Sequence, residues 1–399
     1  MVGSGRDALW RFLALYGALY VAFGVQSPYL PTLLASHNLT PEAVAIVLAA
    51  GTAMRLTAAP MAGRLADRIE APKAVLIICS AAAALIALGY LSAQGFRLLL
   101  LMCVLHSAAL APLPPLSDTL ALASAAPARS GVRPAGGFHY GWLRGAGSAA
   151  FICGTVLSGQ AIAEFGVNVI IWLNAALLGA AAYVARFVPM LLPRTVVREP
   201  EANSAIQGLG ALLRLPLYRR IVLVAALILG SHAMHDSFAV IRWRAAGIGS
   251  DIAGELWSLQ VAAEVVVFLF AGRPLLDRLG PAGAAMLAAA AGTVRWAVMA
   301  ETAWLPALAA VEPLHGLTFA LLHLTCLRLL AESVPRQLAA TALAVYGTVG
   351  IGISQALLTL ASGPLYDHFG ARGFWVMAAI CAAALPVARL LRDPGGDPN

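Results

Sequence analysis

Twelve apolar stretches, each long enough to cross a lipid bilayer as a helix, run through the sequence between short clusters of charged residues, glycine and proline. A spanning helix needs about 20 mostly apolar residues. The composition agrees, because 60% of the residues are hydrophobic and 11% are charged, against about 25% charged in soluble domains. The sequence therefore predicts an all-α membrane protein with twelve transmembrane helices and excludes nucleic-acid-binding, disordered and ordinary soluble proteins. The predicted segments cover residues 8–35, 42–66, 73–93, 97–124, 138–162, 167–191, 217–245, 251–272, 282–301, 304–331, 337–362 and 371–391.

The basic residues divide unevenly between the two sides of the membrane. With the N-terminus in the cytoplasm, twenty of the 26 lysine and arginine residues fall on or near the cytoplasmic side and four on the opposite side. Cytoplasmic loops carry the excess of lysine and arginine in membrane proteins. This distribution predicts a multi-pass protein with both termini in the cytoplasm. The expected location is the bacterial cytoplasmic (inner) membrane. The two remaining basic residues, Arg55 and Arg295, lie in the middle of predicted helices.

A polar stretch at residues 192–216 is the longest interruption of the apolar pattern. It predicts a cytoplasmic central loop between an N-terminal six-helix bundle, residues 1–191, and a C-terminal six-helix bundle, residues 217–399. The later part of the loop, residues 205–213, has the pattern of a short amphipathic helix on the membrane surface. The five cysteines stand singly in apolar runs, so neither a disulfide framework nor a metal site is expected, and no cofactor is predicted.

Related motifs end the second, fifth, eighth and eleventh predicted helices. They begin at Gly63, Gly159, Gly272 and Gly363, and each has an acidic residue four or five positions later. Glycine allows a tight turn and close helix approach, while the charged residues can bind backbone donors or lipid phosphates. Four copies predict inverted three-helix repeats, as in a rocking secondary transporter, with simple loop caps as the alternative. Five motif residues are expected to act in conformational gating: Gly63, Asp67, Arg68, Asp277 and Arg278.

The stretch from Gly63 to Lys73 resembles the signature that the major facilitator superfamily carries between its second and third helices, although Glu70 and Ala71 replace a usual glycine and basic residue. The resemblance covers essentially the whole chain and implies the major facilitator fold, transport activity and a monomer. A finer resemblance is to the branch of 3-phenylpropionate transporters, nucleoside–proton symporters and, more distantly, lactose permease. The motifs that carry it are residues 115–118, 140–148, 256–259 with Glu264, 294–296, and 315–319 with His323.

Charged side chains inside a membrane are costly, so each one is a candidate functional residue. In the N-terminal half these are Arg55, Asp118 and Arg144, and the last two lie on neighbouring helices where they can pair. They resemble the acid and arginine that hold the sugar in lactose permease, with a fixed salt bridge as the alternative. The prolines at residues 112–115 are expected to interrupt the fourth helix beside Asp118. The predicted substrate-binding residues are Arg55, Asp118, Arg144, Gln26, Tyr29 and His232.

Four residues of the C-terminal half are expected to couple transport to protons: Glu264, Arg295, His315 and Glu312. Glu264 lies near the middle of the eighth helix, and Arg295 can reach it from the ninth. Burial raises the proton affinity of a carboxylate and an approaching arginine lowers it, so opening to alternate sides could load and release a proton. The set resembles the acid, arginine and His/Glu pair of lactose permease, with the order of histidine and glutamate reversed. A permanent structural pair is the alternative for Glu264 and Arg295.

The predicted function is therefore proton-coupled symport, the uptake of a small organic solute such as an aromatic or other carboxylate, because the intramembrane arginines favour an anionic or polar substrate. Protons, the solute and the lipid bilayer are the expected partners, and nucleic acid is not. The alternatives are efflux of drugs or metabolites and uptake of nucleosides or sugars. The resemblance implies that an antiporter of the superfamily would carry an arginine in the middle of the fourth helix and a Gly-Pro-rich stretch in the fifth. No arginine lies in the middle of the fourth helix and no proline in residues 149–160, which counts against efflux. A membrane enzyme or a non-transporting sensor is a remote alternative, since the sequence holds no corresponding motif. A hydrogen-bonded cavity lining is favoured over a metal site for three polar residues of the seventh helix: His232, His235 and Asp236.

Overall fold

The computed structural model describes residues 5–125, 138–190 and 209–391, and every regular element in these ranges is helical. The α-helices are α1 (Gly5–Gln26), α2 (Leu30–Ser36), α3 (Pro41–Arg68), α4 (Pro72–Gly89), α5 (Gly95–Leu110), α6 (Leu113–Ser124), α7 (Tyr140–Phe165), α8 (Val169–Ala185), α9 (Pro216–Gly230), α10 (His232–Ala245), α11 (Ser250–Val266), α12 (Gly272–Glu301), α13 (Leu305–Val311), α14 (Leu322–Ser333), α15 (Ala339–Val345), α16 (Ser354–Phe369) and α17 (Phe374–Ala388). The π-helical segments are Val267–Ala271, Gly316–Leu321 and Tyr346–Ile353, and the 3-10 turns are Glu312–Leu314, Arg336–Leu338 and Gly370–Gly373. Most of the predicted central loop, residues 192–208, lies outside the described residues; residues 209–214 are helical.

The described helices are long and apolar enough to cross a membrane many times. Nine helical stretches meet this condition by length and composition. Two of them, Ser250–Glu301 and Arg336–Ala388, contain 52 and 53 residues, which is enough for two crossings each. A shorter apolar helix, Val169–Ala185, supplies one more. The described residues therefore accommodate the twelve crossings that the sequence predicts.

Proline lies at three of the places where a spanning stretch departs from regular α-helix. Pro28 lies between α1 and α2, Pro112 lies between α5 and α6, and Pro313 lies in the 3-10 turn after α13. Proline lacks the backbone N–H and clashes with the preceding turn, so it breaks the hydrogen-bond ladder. Only the second of these breaks is predicted from the sequence.

The turn between the eighth and ninth predicted segments lies later than expected. Gly280 adopts φ 66° and ψ 170°, and Pro281 follows it. Glycine reaches a positive φ without steric cost, so this residue makes the turn. The backbone is still helical at residue 272, where the sequence predicts the end of the eighth helix. The eighth helix therefore continues beyond its predicted end.

Close contacts group the chain into two compact units. The first unit comprises residues 1–39, 50–196 and 248–255. Its apolar core is formed by residues of helices α1, α4, α6 and α8. One leucine from each of these helices is fully buried in this core: Leu19, Leu76, Leu113 and Leu178. Burial of this apolar surface stabilises the unit.

The second unit comprises residues 40–49, 197–247 and 256–399. Ile221, Ala288, Leu329 and Ala384 are fully buried in its main core. A smaller core lies around residues 320–321, beside the first two π-helical segments. The bundles predicted at residues 1–191 and 217–399 and the loop between them remain predictions.

Helices α1 and α7 approach each other closely at two glycines. A Cβ atom on Gly24 would overlap the carbonyl oxygen of Phe151, and one on Gly154 would overlap that of Val21. Small residues let helix backbones approach in this way, and van der Waals contact then holds the helices together. The first unit therefore requires glycine at both positions.

The substitution Gly154→Val should lower the free energy of unfolding by about 1–3 kcal/mol, because the side chain is forced against the backbone of α1. Gly145→Val, in the same helix, is the matched control, since nothing lies within 4 Å of a Cβ at Gly145. The measurement is the midpoint of thermal unfolding in detergent. Equal midpoints for the two variants would contradict the close approach of α1 and α7.

Candidate functional site

A polar cluster around Arg295 is buried in the second unit. The guanidinium donates to Oε2 of Glu312 and to Oε1 of Gln260, both at 2.6 Å, and these three side chains are buried. It also lies 3.1 Å from Nδ1 of His315 and over the ring of Trp296, 4.5 Å from the ring centroid. A buried ion is stable only when it is paired and hydrogen bonded. Glu312 supplies the charge that Arg295 requires.

His315 stands between Arg295 and Glu264. Its Nδ1 faces the guanidinium, and its Nε2 lies 3.5 Å from Oε2 of Glu264. The side chain of Glu264 is 26% exposed, whereas Glu312 is fully buried. All four residues predicted for proton coupling are therefore brought together. The carboxylate that binds Arg295 at 2.6 Å is Glu312, whereas Glu264 is partly exposed and reaches the cluster through His315.

The local backbone of the tenth spanning stretch explains this placement. The 3-10 turn Glu312–Leu314 is followed by the π-helical segment Gly316–Leu321. A Cβ on Gly316 would lie 2.7 Å from the carbonyl oxygen of Ala263 on α11, so glycine permits a close approach there. Single π-helical turns occur often at functional sites. The irregular stretch lets Glu312 and His315 both reach Arg295.

His235 extends the cluster through contacts with Glu312, Arg295 and Asp236. Its Nε2 lies 3.3 Å from both Oε1 of Glu312 and a guanidinium nitrogen of Arg295. Its Nδ1 lies 3.4 Å from Oδ1 of Asp236, whose other oxygen accepts from Gln355 at 2.9 Å. The contacts of His235 and Gln260 with Arg295 were not predicted. The available signals are that His235 adjoins an acid and that Gln260 precedes Glu264 by one helical turn.

His232, a predicted substrate ligand, is buried in the same unit. Its Nδ1 lies 3.0 Å from the carbonyl oxygen of Leu229 and its Nε2 lies 2.9 Å from the hydroxyl of Thr318. Its ring also packs edge-on against Trp296 and His315. Both ring nitrogens thus have partners within the protein, and a contact of His232 with substrate remains a prediction.

The first unit holds a second polar cluster around Asp118 and Arg144. The hydroxyl of Tyr16 donates to Asp118, and Arg144 donates to the hydroxyl of Tyr20. The two tyrosine rings stack with centroids 5.4 Å apart, and Tyr140 also hydrogen bonds Asp118. The two charges are therefore linked through tyrosines on α1. Arg144 remains exposed and lies over the ring of Tyr20.

Arg55 lies near the middle of α3, and its side chain is exposed. It interacts electrostatically with Tyr90, Cys103 and His106, none of which is acidic. In the part of the chain that the structure describes, no acidic side chain forms an ion pair with Arg55. This guanidinium can therefore accept a negative partner from outside the protein.

The two uncharged residues predicted to bind substrate have partners in the first unit. The amide nitrogen of Gln26 lies 3.1 Å from Nδ1 of His106, and both side chains are buried. The buried hydroxyl of Tyr29 donates to the carbonyl oxygen of Ser250 at 2.8 Å. Their role in substrate binding remains a prediction.

The predicted gating residues lie at the ends of helices. Asp67 and Arg68 are exposed in the last turn of α3, and Gly63 precedes them by one turn. In the second unit, Asp277 accepts from Arg328 at 2.9 Å, and Arg278 is exposed. A gating role for these residues remains a prediction.

Comparisons with known proteins agree on the kind of molecule. The sequence model of the MFS_1 like family matches residues 9–377. The chain is 31% identical over 382 residues to a probable 3-phenylpropionic acid transporter of Escherichia coli (strain K12), covering 94% of this chain and 96% of that protein. It is 27% identical over 373 residues to a maltose permease of Geobacillus stearothermophilus, covering 93% and 91%.

Solved structures share the fold. A mutant form of the nucleoside transporter NupG superposes with a TM-score of 0.84 at 15% identity, covering 96% of this chain and 99% of that one. A bacterial homologue of the human lysosomal transporter Spinster gives a TM-score of 0.73 at 13% identity, covering 98% and 97%. At such low identity the likeness shows the fold alone. The predicted all-α fold of the major facilitator type is confirmed.

Proposed function

Because the chain belongs to the MFS_1 like family and is a multi-pass membrane transporter, not an enzyme, we propose that it takes up a small organic anion in symport with protons. The favoured substrates are aromatic carboxylates. The proposed location is the cytoplasmic membrane of a bacterium, with both termini in the cytoplasm and the protein acting as a monomer. The arginine-rich loops assigned to the cytoplasmic side support this orientation.

The observation that carries the proposal is the different charge balance inside the two units. Of the three charged residues that the sequence predicts inside the membrane in the first unit, two are arginines, Arg55 and Arg144, and one is an acid, Asp118. A surplus positive charge inside a membrane requires a counter-ion, and a substrate carboxylate can supply it. The first unit is therefore the proposed site for the anion.

The second unit has the opposite balance. Arg295 faces an excess of acids, and His235 and His315 lie in direct contact with it. Carboxylates and histidines inside the membrane form proton relays in many transporters. The second unit is therefore the proposed site for protons. The acids of this cluster are Asp236, Glu264 and Glu312.

Two features support an aromatic substrate. Tyr16, Tyr20 and Phe23 form a continuous run of ring contacts on α1, and Arg144 lies over one of these rings. An aromatic acid can stack on such rings while its carboxylate binds an arginine. The relative named as a 3-phenylpropionic acid transporter supports the same class.

Uptake into proteoliposomes with an alkaline interior tests the proposal. Labelled 3-phenylpropionate, maltose and a nucleoside are offered in parallel, and protein-free vesicles correct for entry of the neutral acid through the lipid. The expected result is protein-dependent accumulation of the carboxylate that a protonophore abolishes. Accumulation of maltose or the nucleoside alone would overturn the anion assignment. Accumulation only under the reversed pH gradient would indicate efflux.

Arg55→Gln should raise the KM for the transported anion by about 10- to 100-fold, the scale of one lost charge-assisted hydrogen bond. Arg97→Gln is the matched control, because Arg97 is an exposed arginine in the first turn of α5. The measurement is the initial rate of uptake against anion concentration. An unchanged KM in Arg55→Gln would remove Arg55 from the binding site.

A further inference from the structure

His235 is a fully buried histidine between two carboxylates. One ring nitrogen faces Oδ1 of Asp236 at 3.4 Å, and the other faces Oε1 of Glu312 at 3.3 Å. The ring is enclosed by three tryptophans, with centroids 5.0 to 5.8 Å away: Trp243, Trp257 and Trp296. This surrounding leaves the two carboxylates and Arg295 as the polar partners of the ring among the described residues.

The neutral form of His235 already has partners in this geometry. With its proton on Nδ1, the ring donates to Asp236 and offers the lone pair of Nε2 to Arg295 at 3.3 Å. That second bond is weak, because the same guanidinium nitrogen has two hydrogens and also binds Gln260 and Glu312, both at 2.6 Å. Three acceptors therefore share two hydrogens.

The protonated form finds partners without any movement. A second proton on Nε2 points at Oε1 of Glu312, while Arg295 keeps its two shorter bonds to Gln260 and Oε2 of Glu312. The positive ring then lies between the carboxylates of Asp236 and Glu312. A group that is hydrogen bonded in both protonation states can gain and lose a proton without reorganising its surroundings.

Asp236 connects this buried ring with more exposed space. Its side chain is 46% exposed, whereas those of His235 and Glu312 are fully buried. Gln355 donates to its second oxygen and leaves Oδ1 directed at His235. When the neutral ring instead carries its proton on Nε2, directed at Oε1 of Glu312, the lone pair of Nδ1 can accept a proton from protonated Asp236. The proton on Nε2 then passes to Glu312 and leaves the ring with its proton on Nδ1.

The other charged groups around the ring come from every neighbouring helix. His232 lies one turn earlier on α10, Arg295 lies on α12, and Glu312 and His315 lie on the tenth spanning stretch. His232 binds Leu229 and Thr318, and His315 binds Arg295 and Glu264. Among the described histidines, His235 is thus the one in contact with two acids.

We propose that His235 is a proton-binding site of the transport cycle, loaded through Asp236 and discharged to Glu312. This inference rests on the proton coupling proposed above. It adds a second route into the cluster, which enters at Asp236 and not at Glu264.

The substitution His235→Gln tests the site, because glutamine can hydrogen bond but cannot carry a proton. Accumulation driven by a pH gradient should fall about 100-fold, the scale of removing a proton-transfer group, while exchange of labelled for unlabelled solute at equal pH is retained. Asp236→Asn should also reduce accumulation and spare exchange. If His235→Gln does not fold, the result for Asp236→Asn tests the proposal. His323→Gln is the control, because among the described residues that histidine hydrogen bonds the hydroxyl of Tyr346 and no member of the Arg295 cluster, so the variant should accumulate solute normally.

The outcomes separate this inference from the proposed function. If the unmodified protein shows no gradient-driven accumulation, the proton coupling itself fails. If it accumulates solute and both variants match it, the route through His235 is wrong. Loss of exchange as well as accumulation in Asp236→Asn would assign these residues a structural role and also overturn the inference.

Discussion

Replacing Arg295 with methionine is expected to destabilise the protein by about 3–5 kcal/mol, because the change leaves a charged carboxylate buried without its partner. Glu312 is fully buried, and its shortest bond, at 2.6 Å, is to Arg295. Methionine has a similar length and fills the space, so the loss reports the charge and not a cavity. The measurement is the unfolding midpoint in detergent, with proton-driven accumulation in proteoliposomes as a second readout.

The double variant Arg295→Met with Glu312→Leu separates charge from packing. Replacing both partners of a buried ion pair by apolar groups of similar shape changes the free energy of unfolding little. The double variant should therefore regain most of the stability that Arg295→Met loses. Proton-driven accumulation should be absent from both variants, because the proton-binding cluster is lost. Arg372→Met, an exposed arginine in the same unit, should change neither property. A single Arg295→Met variant as stable as the unmodified protein would contradict the buried pair.

Much of the fold follows from hydropathy and a few helix-breaking residues. The prolines at residues 112–115 predict the interruption between α5 and α6, because proline breaks a helix wherever it falls. The three π-helical segments carry no comparable local signal. They arise where one extra residue fits between packed neighbours, as at Gly316 beside Ala263. Such adjustments depend on tertiary contacts that no single stretch of sequence contains.

The sequence predicts which residues form the candidate site, but it does not predict which of them contact each other. An ionisable side chain inside the membrane is energetically costly and is therefore a candidate functional residue. This rule identifies Glu264, Arg295, Glu312 and His315. The sequence favours Glu264 as the partner of Arg295 because both lie near the middle of adjacent helices. The structure has Glu312 bound to Arg295, since the 3-10 turn at Pro313 rotates that carboxylate towards α12. Side-chain direction after an irregular turn cannot be obtained from helical spacing.

Glu264→Gln is expected to abolish proton-driven accumulation while exchange of solute continues at a near-normal rate. Glu264 is partly exposed and faces His315 at 3.5 Å, so it can exchange protons with water and pass them inwards. Glutamine keeps the shape and hydrogen-bonding capacity of the side chain but fixes it in a neutral form. Exchange needs the conformational change and the substrate site, and neither depends on a net proton movement.

Glu255→Gln is the matched control, since Glu255 is an exposed glutamate on the same helix, nine residues earlier, and its loss should leave both activities unchanged. Both assays use the same proteoliposomes, so the ratio of accumulation to exchange is independent of how much protein is reconstituted. If Glu264→Gln retains both activities, the role of Glu264 is structural. If it loses both while its unfolding midpoint is unchanged, the carboxylate belongs to substrate binding. Loss of accumulation with retained exchange assigns Glu264 to the proton pathway. Exchange moves solute without net proton movement, so this outcome means that the ionisable carboxylate is needed only when protons cross the membrane with the solute.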